Sequence, residues 1–151
     1  MFRGRFELNI DEKGRLNIPS RFRDVLKGRD DERLIITNDF DKCLVAYPYN
    51  EWLELEEKAS RLSMVSREAK AFQRFFISGA TECSFDKQGR VLIPPVLREH
   101  AGLEKEIVVA GMVKKIEIWS KGQWEAELSR SMESFDENFD SMAKVLSELG
   151  L

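Results

Sequence analysis

ELNIDEKGRLNIPSRFR, residues 7–23, returns 75 positions later as ECSFDKQGRVLIPPVLR, residues 82–98, without a gap. The residues of the first stretch that recur unchanged are Glu7, Asp11, Gly14, Arg15, Ile18, Pro19 and Arg23, and their counterparts are Glu82, Asp86, Gly89, Arg90, Ile93, Pro94 and Arg98. The likeness continues beyond these stretches, since residues 34–36 (LII) match residues 107–109 (IVV). The chain therefore contains two tandem copies of one unit, residues 1–77 and residues 78–151.

Each copy is short for an independent domain. A unit of about 75 residues lies near the lower size at which a single hydrophobic core is stable. We therefore expect the two copies to share a core or to pack against neighbouring subunits, and we expect self-association.

The composition is that of a soluble globular protein, with 42% hydrophobic and 34% charged residues. No apolar run is long enough to cross a bilayer and no signal peptide follows Met1, so a cytoplasmic location without membrane contact is expected. Cys43 and Cys83 occupy non-equivalent places in the two copies and lie in apolar surroundings. They are predicted to be small core residues, not a disulfide or a metal pair.

The charge is unevenly distributed along the chain, although the net charge is only −3. Residues 1–29 carry eight Lys and Arg against four Asp and Glu, which gives +4. Residues 121–151 carry three basic against seven acidic residues, which gives −4. The basic opening segment keeps a nucleic-acid partner in consideration despite the acidic total.

The repeated stretch predicts a β-hairpin in each copy. Apolar residues alternate at Phe6, Leu8 and Ile10, stop at residues 11–14, and resume after Arg15. A four-residue polar turn ending in Gly suits a type I turn closed by a left-handed residue, and an Asp side chain bonds the turn amides. Structural roles are therefore predicted for these four turn residues: Asp11, Gly14, Asp86 and Gly89.

The Ile-Pro pair after each hairpin predicts the start of a short helix, which ends at a left-handed Gly28 or Gly102. Further strands are predicted near residues 34–37, 44–47, 107–110 and 115–119, and helices near 48–62, 65–76, 123–132 and 135–149. The aromatic residues on these helices have the spacing of core or subunit-interface residues, not the pattern of a cofactor site. The fold class predicted is mainly β with α, that is, α+β.

No catalytic constellation is found in the sequence. His100 is the only histidine, and no second histidine or cysteine stands at ligand spacing from it. No phosphate-cradling glycine loop and no nucleophile motif is present. We therefore predict no enzyme activity, no metal, no cofactor and no small-molecule substrate.

Arg15 and Arg90 have two interpretations. Each begins the strand after a tight turn, where a hairpin would accept Thr or Lys equally well, so an arginine favours bidentate binding to phosphate or guanine. The alternative is an internal ion pair, Asp11 with Arg15 and Asp86 with Arg90, that holds the turn at little net energy. Both interpretations remain open.

The paired motifs DEKGRLNIPSRFR and DKQGRVLIPPVLREHAGL, together with the opening MFRGRFE, resemble the MraZ family and more distantly the single-motif AbrB and MazE regulators. The resemblance covers the whole chain. It implies two tandem AbrB-like swapped-hairpin β-barrel repeats, a ring-shaped homo-oligomer of about eight or more subunits, and exposed motif hairpins.

The function that this resemblance implies is a nucleoid-associated, sequence-specific DNA-binding transcriptional regulator. Its expected partner is double-stranded DNA with direct repeats in its own promoter, ahead of the bacterial division and cell wall gene cluster, and autorepression is the expected outcome. The DNA-binding candidates are Arg3, Arg5, Lys13, Arg15, Lys87 and Arg90. The first motif is expected to dominate, because residues 79–105 balance four basic against four acidic residues. The alternative is a protein-binding scaffold or antitoxin-like module without a direct DNA role.

Overall fold

A computed structural model describes residues 1–151 and places four strands in each sequence repeat. The strands are Arg5–Asn9 (β1), Arg15–Asn17 (β2), Leu34–Asn38 (β3), Leu44–Pro48 (β4), Thr81–Cys83 (β5), Arg90–Leu92 (β6), Glu106–Gly111 (β7) and Ile116–Ser120 (β8). The α-helices are Ser20–Lys27 (α1), Tyr49–Ala59 (α2), Arg67–Phe72 (α3), Pro95–Ala101 (α4), Lys121–Glu137 (α5) and Phe139–Glu148 (α6), and a π-helical turn, Gln73–Ile77, continues α3. The predicted α+β class with tandem repeats is confirmed.

The strands on either side of each motif turn do not pair with each other along their length. β1 and β2 meet only at the Ile10–Leu16 bridge, whereas β1 pairs over its whole length with β7 of the other repeat. In the same way β5 pairs with β3, and β2 pairs with β6. The simple hairpin ladder expected from the alternation is therefore wrong, because alternation identifies a strand without naming its partner.

The two repeats are related by a pseudo-two-fold axis. Leu16 faces Val91 in the β2–β6 pair, and Val45 faces Glu117 in the β4–β8 pair. The members of each pair occupy equivalent positions in the two repeats. The axis therefore passes through the two-stranded ribbon β2–β6 and through the centre of the six-stranded sheet, whose order is β1-β7-β8-β4-β3-β5.

Both repeats contribute to one hydrophobic core, which confirms the expected sharing. Equivalent apolar residues of the two motifs are almost completely buried in it: Leu16, Ile18, Phe22, Val91, Ile93 and Leu97. Cys83 belongs to the same core, and Cys43 is also buried and free, as predicted. Since the strands of one repeat are paired to those of the other, neither half has a complete core of its own.

The helix that follows each motif packs an apolar face on this core, but the two helices end differently. Gly102 follows α4 in the predicted left-handed conformation, with φ of +62°. Gly28 follows α1 with φ of −83°, so the predicted left-handed stop is wrong there. In α1 the chain instead continues as a turn in which the Arg29 amide donates to the Leu26 carbonyl at 3.0 Å.

A second apolar cluster covers the outer face of β3 and β4. Trp52 from α2 stacks on Phe76 with ring centroids 5.5 Å apart, and Phe72 stacks on the same ring at 5.0 Å. Ile35 and Val45 complete the buried part of the cluster. The aromatic residues of these helices are thus core residues, as their spacing predicts.

Residues 122–151 form a second compact unit. It consists of most of α5 followed by α6, so the predicted helical character of this segment is confirmed. Two of its apolar residues, Phe139 and Leu149, are each 69% exposed. No helix of the chain combines the length and the apolar composition that crossing a bilayer requires.

Leu16→Ala tests the shared core. Leu16 is fully buried on the pseudo-two-fold axis, so the substitution is expected to lower the free energy of unfolding by about 2–5 kcal/mol. Urea denaturation followed by circular dichroism measures the loss. Leu92→Ala on the partner strand is the control: Leu92 is 58% exposed, and a change within about 0.5 kcal/mol is expected. Equal losses in the two variants would contradict a core centred on the axis.

Candidate nucleic-acid interface

The first motif turn is held by the Asp11 carboxylate. Its Oδ1 accepts hydrogen bonds from the amides of Lys13 at 3.0 Å and Arg15 at 2.8 Å. Its Oδ2 accepts from Arg15 Nε at 2.6 Å. Gly14 closes the turn with φ of +87°, a conformation that residues with a Cβ rarely adopt. The turn therefore fixes both the backbone and the guanidinium of Arg15.

The second turn repeats this geometry. Asp86 Oδ1 accepts from the amides of Gln88 and Arg90, both at 2.9 Å, and Oδ2 accepts from Arg90 Nε at 2.8 Å. Gly89 has φ of +78°. The internal ion pair is therefore present in both turns. Each turn aspartate bonds the Nε side of its arginine. Arg15 keeps both Nη groups without a hydrogen bond inside the chain, so a ligand role for Arg15 remains compatible with the pair.

The hydrogen bonds shift the acidity of both aspartates. The backbone amide and guanidinium of Arg15 lower the pKa of Asp11 below its ordinary value of 3.8, against a smaller opposing effect of burial. Arg90 lowers the pKa of Asp86 in the same way. Both carboxylates are therefore ionised wherever the protein is near neutral pH.

Each turn is also covered by an arginine from the other repeat. Arg98 Nε donates to the Ile93 carbonyl at 3.0 Å. The same nitrogen lies only 2.7 Å from the position that a Cβ on Gly14 would take, so the guanidinium packs against this glycine. Arg23 donates to the Ile18 carbonyl at 3.0 Å and lies against Gly89 in the same way. Sequence reasoning did not assign these arginines a role, although their recurrence in the repeat was the available signal.

The ribbon β2–β6 presents a polar face that the turns hold in place. Arg15 lies opposite Leu92 and Asn17 lies opposite Arg90, while Leu16 between them points into the core. Asn17 and Leu92 are exposed, and the side chains of Arg15 and Arg90 are 35% and 25% exposed. We call the outward side chains of residues 15, 17, 90 and 92 the ribbon face. Asn17 was not among the predicted site residues, because its position opposite Arg90 follows only from the cross-repeat pairing.

The remaining predicted site residues fall in two places. Lys13 and Lys87 are exposed within the two turns, beside the ribbon face. Arg5 is exposed at the other end of β1, and Arg3 is exposed just before that strand. Asp11 follows Arg5 by six positions of extended chain, a distance of about 20 Å. The structure therefore brings Lys13, Arg15, Lys87 and Arg90 together and leaves Arg3 and Arg5 apart from them.

One group of potential metal ligands occurs elsewhere in the fold. Asp39, Cys43 and Glu117 place one ligand atom each within 4.8 Å of one another. Burial raises the pKa of the Cys43 thiol, which contacts Asp39 Oδ2 at 3.6 Å, and burial also raises that of the Glu117 carboxyl, which accepts from Trp119 Nε1 at 3.0 Å. These partners give the group a structural explanation. Asp39 and Cys43 lie in the loop between β3 and β4, and Glu117 lies on β8 of the other repeat, so the sequence alone did not reveal the group.

The interleaved repeats and the arginine-bearing ribbon define the class of tandem swapped-hairpin barrel proteins. The family model described as "MraZ protein, putative antitoxin-like" matches the chain twice, over residues 1–75 and 76–146. The chain therefore belongs to the MraZ family.

Relatives in several bacteria carry the name transcriptional regulator MraZ. The protein of Alkaliphilus metalliredigens is 48% identical over all of both chains. That of Desulforamulus reducens is 47% identical over 97% of this chain and 100% of its own, and that of Pediococcus pentosaceus is 46% identical over all of both chains. These are regulators and not enzymes, which confirms the prediction that the chain is not an enzyme.

Gly14→Ala tests the crowding at the first turn. A residue with a Cβ at this positive φ is strained, and the added atom would stand 2.9 Å from the Ile93 carbonyl oxygen as well as against Arg98. We expect a loss of about 1–3 kcal/mol in the free energy of unfolding, measured by urea denaturation. Gly28→Ala is the matched control, since Gly28 has a negative φ and open space around it. A larger loss in the control would contradict this account.

The lowered pKa of Asp11 makes a second prediction for the turn. A carboxyl whose folded-state pKa lies below its unfolded value stabilises the fold above about pH 4, and this contribution is lost as the pH falls through the folded value. NMR titration of the Asp11 side-chain carboxyl should give a midpoint below 3.8. The Arg15→Ala variant should return the midpoint toward 3.8, because it removes the guanidinium. A wild-type midpoint at or above 3.8 would show that the turn does not hold the charged form.

Proposed function

We propose that the protein is a sequence-specific DNA-binding transcriptional regulator that reads double-stranded DNA with the ribbon face. The observation that carries the proposal is a pair of arginines, fixed through Nε by their turn aspartates on one two-stranded ribbon. Paired strands lie about 4.8 Å apart, and the major groove of B-DNA, about 12 Å wide, accepts a two-stranded ribbon.

The chemistry of the ribbon face supports base reading. Arg15 has both Nη groups available, and such a pair matches the O6 and N7 acceptors of guanine. Asn17 is exposed on the same face and its amide matches the N6 and N7 groups of adenine. Because the guanidinium of Arg15 is already oriented by Asp11, little side-chain entropy remains to be lost on binding.

The first repeat, residues 1–77, is proposed to make the dominant contact, and the second, residues 78–151, to contribute more to assembly. Arg90 Nη1 lies 4.0 Å from Asp11 Oδ2 in addition to its bond with Asp86, so two carboxylates offset its charge. Arg15 faces one carboxylate and is more exposed. The basic opening segment, at +4, adds to the difference.

The remaining cations are proposed as phosphate contacts. Lys13 and Lys87 flank the ribbon face within the turns, where the groove edges would lie. Arg3 and Arg5 stand about 20 Å from the first turn and would reach a separate stretch of backbone. Such contacts position the protein without reading sequence.

Assembly into a ring of about eight or more subunits would present many copies of the ribbon face. Direct repeats spaced by about one helical turn, roughly 10 base pairs, would then engage neighbouring subunits together. Linked binding of this kind raises the overall affinity by on the order of 10² to 10⁴ when the DNA can follow the assembly.

The resemblance to the family also suggests which DNA the protein binds. It favours binding to the promoter of the division and cell wall gene cluster, in which the gene of this protein stands first, with autorepression and nucleoid association as results. The second candidate is a protein-binding, antitoxin-like module, which the wording of the matching family model favours. DNA binding by the ribbon face separates the two.

The decisive experiment is fluorescence anisotropy with DNA from upstream of the gene and with scrambled DNA, across a salt series. Arg15→Ala is expected to remove the preference for the specific DNA. Arg15→Lys keeps the charge but loses the bidentate fork, so it is expected to lose about 1–3 kcal/mol of discrimination while retaining most non-specific binding. Arg90→Ala is expected to cost less than Arg15→Ala.

Lys42→Ala is the charge control, since Lys42 is exposed in the loop between β3 and β4 and outside the ribbon face. It should leave the preference unchanged. If the wild type binds neither DNA, the regulator proposal fails and the protein-binding module takes its place. If Arg15→Lys behaves as the wild type, Arg15 contacts phosphate and does not read bases.

A further inference from the structure

Leu92 is an exposed apolar side chain on an otherwise polar surface. It is 58% exposed and belongs to neither apolar cluster of the fold. The other side chains of the ribbon face, at residues 15, 17 and 90, are polar or charged. A single exposed leucine is common on protein surfaces and needs no explanation by itself. Leu92 differs from such a residue because it lies among the groups that are proposed to contact DNA bases.

The internal repeat shows that the fold does not require an apolar residue at this place. Asn17 occupies the position in the first repeat that Leu92 occupies in the second, and each is the last residue of its ribbon strand. Asn17 is exposed as well. A polar side chain therefore suits the same strand pairing and the same surroundings. Packing leaves the leucine unexplained, whereas a contact with an apolar group outside the chain explains it.

The strand register places Leu92 beside the arginine that is proposed to read guanine. Leu92 lies directly opposite Arg15 in the β2–β6 pair. The Cβ atoms of opposite residues in antiparallel strands are about 4.5–5.5 Å apart. Successive base pairs of B-DNA are about 3.4 Å apart along the helix axis. When Arg15 contacts one base pair, Leu92 is therefore within reach of a base pair one or two steps away.

Thymine is the one base that presents an apolar group in the major groove. It carries a C5-methyl group there, whereas adenine, guanine and cytosine present hydrogen-bond donors and acceptors. A leucine side chain over a polar base edge would displace water without replacing its hydrogen bonds, which is unfavourable. Over a thymine methyl group the same side chain buries apolar surface, which is favourable. The chemistry of Leu92 therefore fits thymine and disfavours the other three bases.

We propose that Leu92 reads thymine through its C5-methyl group, one or two base pairs from a guanine that Arg15 reads. The inference rests on the proposed function, in which the ribbon face lies in the major groove, and it adds a residue that determines specificity there. It also gives the second repeat a part in base reading, beside the dominant contact made by Arg15. The DNA that one subunit contacts then holds a guanine and a thymine close together.

Replacing thymine by deoxyuridine tests the contact, because it removes the methyl group and keeps the base pairing. Fluorescence anisotropy is measured on the DNA from upstream of the gene, with its thymines replaced one position at a time and the salt concentration held constant. For the wild type we expect the affinity to fall about fourfold at a contacted thymine, which is the effect of losing one buried methyl group. Replacement at thymines outside the contact should have little effect.

Leu92→Ala completes a double-mutant cycle with the deoxyuridine DNA. The variant is expected to fold as the wild type does, since the Leu92 side chain is exposed. It should bind the natural DNA more weakly than the wild type and lose little further affinity on replacement, because the methyl group then has no apolar partner. Leu53→Ala is the matched control, since Leu53 is 44% exposed on α2 and outside the ribbon face. This control should show the full wild-type loss on replacement.

Leu92→Asn tests the contact in the opposite direction. It places asparagine at the end of both ribbon strands and offers an amide that matches the N6 and N7 groups of adenine. We expect the variant to lose the preference for thymine at the contacted position and to favour adenine there. A variant that still prefers thymine would overturn the inference, because another residue would then read the methyl group.

The remaining outcomes separate this inference from the proposed function. Equal binding of natural and deoxyuridine DNA by the wild type at every position would overturn the inference. Equal losses in the wild type and in Leu92→Ala would also overturn it, because the methyl group would then act through the shape of the DNA. Both results leave the proposed function standing if the wild type prefers its own DNA to the scrambled DNA and Arg15→Ala removes that preference. If the wild type shows no such preference, the proposed function fails and this inference fails with it.

Discussion

Backbone pairing between the two repeats is the constraint on which the rest of the structure depends. β1 completes its hydrogen bonds on β7, β5 completes its bonds on β3, and the short strands β2 and β6 pair with each other. Removing either repeat would leave these strands with unpaired amides and carbonyls, which are costly when buried. The shared core follows from the pairing, since residues that alternate along paired strands face the same interior. A repeat of about 75 residues cannot bury enough apolar surface by itself, and interleaving with the other repeat supplies the missing burial.

The rigidity of the motif turns follows from the same interleaving. The Ile93 amide donates to the Gly14 carbonyl at 2.8 Å, and the Ile18 amide donates to the Gly89 carbonyl at 3.2 Å, so each turn is bonded to the strand end of the other repeat. The exposed ion pair between Asp11 and Arg15 adds little stability by itself. Its contribution is orientation, since the aspartate fixes the guanidinium on a backbone that the other repeat already holds. A side chain arranged in this way is suited to recognition more than to stabilising the fold.

The sequence predicted the local features well and the long-range ones poorly, and the reason is physical. Turn chemistry is local, so Asp11 and Gly14 could be assigned from four adjacent residues. Periodicity reports which face of a segment is buried, but strand partners depend on contacts far apart in the chain. The β1–β7 pairing, the position of Arg98 over Gly14, and the place of Asn17 on the ribbon face were therefore out of reach. The left-handed stop predicted at Gly28 was wrong for a related reason, since a glycine permits that conformation without requiring it.

The pseudo-two-fold axis constrains the interior much more strongly than the surface. Leu16 and Val91 meet on the axis and remain apolar, whereas the exposed positions beside them differ, with Asn17 in one repeat and Leu92 in the other. The sheet edges differ too. Arg33 forms an ion pair with Glu82 at 2.7 Å. At the equivalent place in the other half, Glu106 replaces the arginine and Glu7 replaces Glu82, so two acidic side chains lie near each other there.

Because of these differences, the ribbon face lacks two-fold symmetry, and its two halves present different side chains. A ribbon with true two-fold symmetry would match a palindromic DNA element, because the two halves of the site would meet identical side chains. Here one half offers Asn17 and the freer Arg15, and the other offers Leu92 and an Arg90 shared between two carboxylates. A site for one subunit is then asymmetric, so several subunits related by rotation around a ring would require sites that all point the same way. Under the proposed function, the asymmetry of the ribbon face would favour DNA sites arranged as direct repeats over sites arranged as inverted repeats.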